Sequence, residues 1–215
     1  MAKLFILSAP SGTGKSTIAG RLVQQLEGIR KVVTATTREP RPGEEHGVDY
    51  IFMSKEEFEE GIEKGLFLEY ANVYGNYYGT PRDQIERNLK EGYDSLLVID
   101  VQGAFKVKKL YPDAVSVFLL PPSLEELKRR MVGRGYRDSN TQRRLSTARG
   151  EIPCAREFDY IIINDFIDKA VEQLKSIIIA SRCEKESILK NLKGVLHNEE
   201  LIGLIEGGDC YVKET

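Results

Sequence analysis

The stretch Ala9-Pro10-Ser11-Gly12-Thr13-Gly14-Lys15-Ser16-Thr17 sets small residues and hydroxyls around one lysine at the spacing of a phosphate-binding loop. Backbone N–H groups of such a loop point at phosphate oxygens, and the N-terminus of a following helix adds a favourable dipole. Lys15 would reach the β- and γ-phosphates, and the Ser16 hydroxyl would ligate Mg²⁺. Ala9 stands where the usual pattern has its first glycine. One methyl is compatible with the turn there, whereas Gly14, ahead of the lysine, is not exchanged so cheaply. The flanks are those the chemistry requires. Leu4-Phe5-Ile6-Leu7 reads as a buried strand, and Ile18, Leu22, Val23 and Leu26 recur at helical spacing. This part of the chain binds a nucleoside triphosphate.

Further groups fit the same chemistry. Arg38 and Arg41 can chelate a phosphate dianion with charge-assisted hydrogen bonds, and Pro40 and Pro42 stiffen the loop that presents them. Tyr50 and Tyr78 offer phenolic donors to a phosphate or aromatic faces to a base; simple packing is the plainer alternative. Glu69 follows Phe67-Leu68 on a strand, where a carboxylate is either a surface group or a ligand. Asp100 ends an apolar strand, a usual place for a carboxylate that orients Mg²⁺ or contacts an acceptor. Between Ser123 and Ile152 lies a helical segment carrying Lys128, Arg129, Arg130, Arg134, Arg137, Arg143, Arg144 and Arg149. It is either a solvated charged face or a lid that closes over a triphosphate.

The elements that position these groups read as α/β. Core strands are expected at residues 4–8, Leu96–Asp100, Val115–Leu120 and Tyr160–Ile163, short apolar runs suited to a parallel sheet covered on both faces. Residues 34 to about 84 form an insertion with short strands near Asp49–Met53 and Leu66–Ala71. Ser54 and Glu57 make a capping box for its helix, which Gly65 can end. Tyr74-Gly75-Asn76-Tyr77 suggests a tight hairpin turn, and Thr80-Pro81 opens a helix with proline at its first position. Ser123 and Glu126 form a second capping box. Beyond Ser181, the pattern Ile188, Leu189, Leu192, Val195, Leu196 suggests one or two amphipathic helices that pack on the core or on a neighbouring subunit.

The chain has 215 residues, 41% hydrophobic and 30% charged, and a formal net charge of −2. That balance argues against a general nucleic-acid binder, and no apolar run reaches the roughly 20 residues of a membrane helix. The first strand begins almost at once, so no signal peptide is read and the cytosol is the expected location. Cys154, Cys183 and Cys210 form no pairing motif and are expected as free thiols.

Taken in order, the motifs closely resemble the guanylate kinases. They are the P-loop, Thr34-Ala35-Thr36-Thr37-Arg38-Glu39-Pro40-Arg41-Pro42-Gly43-Glu44, Gly47-Val48-Asp49-Tyr50, Phe67-Leu68-Glu69, Gly75-Asn76-Tyr77-Tyr78-Gly79-Thr80, Ile99-Asp100-Val101-Gln102-Gly103, Gly133-Arg134-Gly135 and Ile163-Asn164-Asp165. The resemblance runs from about residue 3 to residue 180. It implies transfer of the ATP γ-phosphoryl group to GMP, and to dGMP, in purine nucleotide metabolism, with Mg²⁺ and a monomeric or homodimeric chain.

The implied fold is the three-layer P-loop NTPase fold with a parallel central sheet, an inserted GMP-binding domain and a helical lid. Residues 1–33, 85–122 and 158–182 would form the core, 34–84 the GMP-binding insertion, 123–157 the lid, and 183–215 a C-terminal extension. Residues 9–17 with Asn164 and Asp165 would bind ATP. Thr34, Arg38, Arg41, Tyr50, Glu69, Tyr78, Gly79, Thr80 and Asp100 would bind GMP. Lys15, Arg41, Arg134 and Arg144 would be catalytic, and Ser16 and Asp100 would face the metal. Guanine offers N1–H and its 2-amino group side by side to a carboxylate such as Glu69, whereas adenine presents a bare N1 acceptor that would be repelled. Val98 departs from the family, which usually has an acidic residue there; weaker Mg²⁺ affinity or altered kinetics is expected. Two rivals remain: an interaction module of the same fold, and a P-loop kinase for another nucleoside monophosphate.

Overall fold

The computed structural model describes residues 2–73, 75–133 and 138–207. Chain order is β1 (Leu4–Ser8), α1 (Lys15–Gln25), β2 (Ile29–Lys31), β3 (Ala35–Thr36), β4 (Ile51–Phe52), α2 (Lys55–Glu63), β5 (Phe67–Val73), β6 (Asn76–Pro81), α3 (Arg82–Lys90), β7 (Asp94–Val98), α4 (Val101–Leu110), β8 (Val115–Leu120), α5 (Leu124–Gly133), α6 (Asp138–Glu151), a 3-10 segment (Ile152–Glu157), β9 (Tyr160–Ile163), α7 (Ile167–Arg182), α8 (Lys185–Leu189), α9 (Leu192–Val195) and α10 (Glu199–Gly207).

Five strands form one sheet in the order β2-β7-β1-β8-β9, and every pairing in it is parallel. The three inner strands β7, β1 and β8 are mostly apolar and almost wholly buried because both their faces are covered. Alternate residues of β1 serve the two faces. Phe5 and Leu7 pack with Ile18 and Leu22 of α1 and Val171, Leu174 and Ile178 of α7. Leu4 and Ile6 pack on the opposite side with Ile85 of α3 and Ala104 and Val107 of α4. The result is the three-layer P-loop arrangement, with the β1–α1 turn at the carboxyl end of a central strand.

The second sheet, β4-β3-β6-β5, lies entirely within residues 34–84. The Ser54–Glu57 capping box is present in both directions at the start of α2. Phe58 of that helix stacks on Phe67 and Tyr77, with ring centroids 4.3 and 5.2 Å apart, and so fastens α2 to the sheet. Two local expectations shift by a residue. Val73 pairs with Asn76, which moves the hairpin turn towards the N-terminus, and Pro81 is the N-cap of α3 rather than its first helical residue. At α5, Ser123 Oγ accepts the Glu126 N–H, while the Glu126 carboxylate takes Arg129 and Arg130.

Among the described residues, three short helices rather than one or two follow α7. Leu192 and Ile202 are buried, and Lys190 lies 3.7 Å from Asp113. No helix among the described residues is long and apolar enough to cross a membrane. Cys154 and Cys183 are free, and Cys210 lies outside the described residues.

One polar clamp ties the end of α7 to the sheet. The buried Asp94 carboxylate accepts the Lys3 N–H at 2.7 Å and Arg182 Nε at 2.8 Å, and Arg182 also donates to the Glu27 carbonyl. Arg182→Ala would leave that buried carboxylate short of its charged partner. A loss of about 2 kcal/mol in urea unfolding is expected. A loss below about 0.5 kcal/mol would reduce the clamp to an ordinary surface pair.

Candidate active site

Residues 9–16, Thr34, Arg41, Tyr50, Glu69, Tyr78, Gly79, Asp100 and Arg144 all line one cavity of about 440 Å³ between the P-loop, the second sheet and α6. The P-loop geometry follows from its sequence. Gly14 caps α1 at φ 105°, in the left-handed region closed to most side chains, and a Cβ there would lie 2.8 Å from Asn164 Nδ2. Lys15 folds back so that its Nζ donates to the Ala9 carbonyl at the mouth of the loop. Arg144 Nη1 reaches Ser11 Oγ at 3.0 Å, which brings the basic segment onto the phosphate loop.

The Glu69 end of the cavity is built by an irregular strand. The β5–β6 register shifts between Phe67 and Glu69, a bulge that lets two consecutive residues be buried. Leu68 turns into the core beside Ile85, while Glu69 turns into the cavity. Glu69 is 7% exposed, and its Oε1 accepts the Thr80 hydroxyl at 2.6 Å across the β5–β6 pair. Burial raises its pKa above the usual carboxylate range, with the Thr80 hydrogen bond opposing and Asp100 adding to the rise. Thr34 is buried and lines the same cavity.

The phosphate-binding candidates of the insertion differ in placement. Tyr50 and Tyr78 meet edge to face at 6.0 Å. Burial, reinforced by Tyr78, raises the Tyr50 pKa, so its phenol remains a neutral donor. Arg41 lines the cavity, but Arg38 does not. Its Nη2 binds both Glu44 oxygens at 3.0 and 2.9 Å, and its guanidinium lies 5.3 Å from the Tyr50 ring. Arg38 therefore braces the loop and the tyrosine in this structure. Ser16 and Asp100 line the same cavity. A hydroxyl and a carboxylate are hard oxygen donors, and such a pair suits a Mg²⁺ ion that takes its remaining ligands from water and phosphate. Val98 lines the wall beside them, where it offers no ligand.

Three ATP-side candidates stand apart from the cavity. Thr17 is exposed on α1. Asn164 is buried and donates from Nδ2 to the Thr13 carbonyl at 2.6 Å, so it braces the P-loop, while its Oδ1 is buried without a partner. Asp165 accepts the Phe166 N–H and pairs with Lys169. Arg134 lies outside the described residues. The sequence reading missed Glu151, Thr147 and Gln102, which also line the cavity. Burial raises the Glu151 pKa, with Lys15 opposing, and its Oε2 is buried without a hydrogen-bond partner among the described residues. Arg144, Thr147 and Glu151 are spaced three and four residues apart along α6, so their common face was available as a signal.

Comparison with known proteins agrees with this arrangement. The guanylate kinase family model matches residues 1–181. A guanylate kinase of Clostridioides difficile is 46% identical over 92% of this chain and 97% of its own length. One from Shouchella clausii is 44% identical over the same shares. The crystal structure of guanylate kinase from Anaplasma phagocytophilum superposes with a TM-score of 0.74 at 37% identity, covering 86% of this chain and 88% of that one. With a P-loop and a buried carboxylate on one cavity and this likeness over nearly its whole length, the chain belongs to the guanylate kinase family.

Proposed function

We propose that this chain transfers the γ-phosphoryl group of ATP to GMP in the cytosol, giving ADP and GDP, with Glu69 as the group that selects guanine. The observation that carries the reading is the buried Glu69 carboxylate opening on the same cavity as the P-loop. The P-loop amides and Lys15 hold the β- and γ-phosphates, as the loop geometry favours. Arg41, with the Tyr50 and Tyr78 hydroxyls, holds the GMP phosphate, and Arg38 steadies Tyr50. Glu69 accepts guanine N1–H and the 2-amino group, with the Thr34 and Thr80 hydroxyls beside the ring.

No general base is needed. A phosphate monoester loses its second proton near pH ~6, so GMP arrives largely as a dianionic nucleophile. What the protein supplies is alignment and neutralisation of charge on the transferring group. Lys15 within the P-loop and Arg144 at its Ser11 serve that purpose, and a catalytic role is also proposed for Arg134. When bound between Ser16, Asp100 and the ATP phosphates, Mg²⁺ would neutralise charge on the β- and γ-oxygens.

Titration calorimetry with GMP, IMP and AMP tests the assignment. GMP should bind tightest, IMP more weakly because it lacks the 2-amino group, and AMP weakest. Equal affinities would remove Glu69 from base recognition.

The raised pKa of Glu69 gives a pH dependence of definite sign. The folded protein holds this proton longer than the unfolded chain, so the associated stability is present at low pH and is lost as pH rises through the folded pKa. For guanine the sign is opposite, because only the ionised form accepts both N–H groups. A protonated Glu69 instead donates to adenine N1. The ratio of GMP to AMP kcat/KM, in which the shared phosphate titration cancels, should therefore fall as pH drops, starting above the pH at which an ordinary glutamate titrates. A ratio flat down to pH about 5 would contradict the assignment.

A further inference from the structure

Gly103 occupies the first turn of α4, where its N–H donates to Asp100 Oδ1 at 2.8 Å and its Cα faces Glu69. It is buried, and its backbone is not in the positive-φ region, so helix geometry does not call for glycine. Alanine is the better helix former at such a position. The one thing glycine secures here is space. A Cβ at residue 103 would lie 2.8 Å from Glu69 Oε2, 3.1 Å from Cδ and 3.3 Å from Oε1.

From this close approach, we infer that Gly103 is a specificity-determining position. It is the floor on which the Glu69 carboxylate rests, and its missing side chain sets where guanine is read. The inference rests on the guanine role of Glu69 and extends it to a residue that need not touch the substrate. The atoms a methyl would strike are the far end of a flexible side chain, which can swing aside at little cost to the fold. Swinging aside moves the two oxygens that accept from guanine, while Thr80 still holds Oε1 from the other side. Hydrogen bonds weaken steeply when donor and acceptor lose alignment, so a shift of an ångström is enough to lose one.

Gly103→Ala should therefore separate selection from folding. Its melting temperature should match or exceed that of the wild type, and its KM for ATP should be unchanged. Its kcat/KM for GMP should fall about 10- to 30-fold. The decisive readout is the ratio of kcat/KM for GMP over IMP, which should move towards one because the bond to the 2-amino group is lost. Glu69→Asp, with its shorter arm, supplies a second test. The double variant G103A/E69D should lose less than the product of the two single losses, since the shorter carboxylate no longer meets the methyl.

A wild type that favours GMP over IMP, with G103A keeping the same ratio, would overturn the inference and leave the role of Glu69 standing. Equal loss on both nucleotides with a lowered melting temperature would also overturn it, by making Gly103 a packing residue only. A wild type that does not distinguish GMP from IMP would sink the guanine reading and this inference with it.

Discussion

Glu69→Gln is expected to lower kcat/KM for GMP by ~10³-fold while leaving the melting temperature unchanged or higher. In the proposed complex the buried carboxylate would face guanine with two acceptor oxygens. The amide keeps one acceptor and turns an N–H₂ donor towards a guanine N–H, so one charge-assisted bond is lost and a donor–donor clash replaces it. Charged hydrogen bonds are worth about 1.5–3 kcal/mol each, and the unsatisfied donor adds a similar penalty. The fold has no corresponding need for the charge. Burial already disfavours ionised Glu69, and a glutamine oxygen can still accept from the Thr80 hydroxyl. The same amide can donate to adenine N1, so activity with AMP should rise relative to GMP. Steady-state kinetics with both nucleotides, alongside thermal unfolding, makes the check. A variant that loses stability in step with activity would make Glu69 a structural residue.

Lys15→Met has the second large effect, at least ~10³-fold in kcat with GMP binding unaltered. The methionine keeps much of the aliphatic length but removes the only charge the P-loop itself carries. That charge acts most strongly on the transferring group, so the loss belongs in kcat more than in KM for GMP. Arginine at this position should not restore the rate, because a planar fork cannot replace a compact ammonium folded back over the loop to the Ala9 carbonyl. A variant with unchanged kcat and a raised KM for ATP would make Lys15 a ground-state anchor only.

Much of this arrangement was legible in the sequence, for identifiable reasons. Parallel strands leave continuous apolar runs, and the runs at 4–8, 115–120 and 160–163 became β1, β8 and β9 with the expected bounds, although the edge strand β9 is largely exposed. Leu96–Asp100 was offset: the strand is Asp94–Val98, because the buried Asp94 begins it and Asp100 leaves it to cap α4. Strands β2 and β3 were missed. Ile29-Arg30-Lys31 is a short edge strand, and two residues at Ala35–Thr36 carry no period to detect.

Candidate residues that a local motif singles out, as in the P-loop and at Glu69, do come together on one cavity. Placements that depend on a distant partner were not legible. Arg38 reads as a phosphate ligand until Glu44 is seen holding it in a fork. Asn164 reads as an ATP-side residue, and only the fold shows its amide bracing the Thr13 carbonyl. Gly103 reads as part of a motif, and only the placement of the Glu69 carboxylate against it gives the glycine a task. The bulge that aims Glu69 inward leaves no composition signal, because it lies in the pairing of β5 with β6.

The most direct measurement is ADP formation from ATP and Mg²⁺ by the full chain, with GMP, dGMP, AMP, UMP and CMP each offered as acceptor. The account predicts turnover with GMP, and with dGMP if the ribose 2′-hydroxyl is not read, at a kcat/KM at least ~10³-fold above that of AMP. Comparable turnover with AMP, UMP or CMP, or none with GMP, would contradict it.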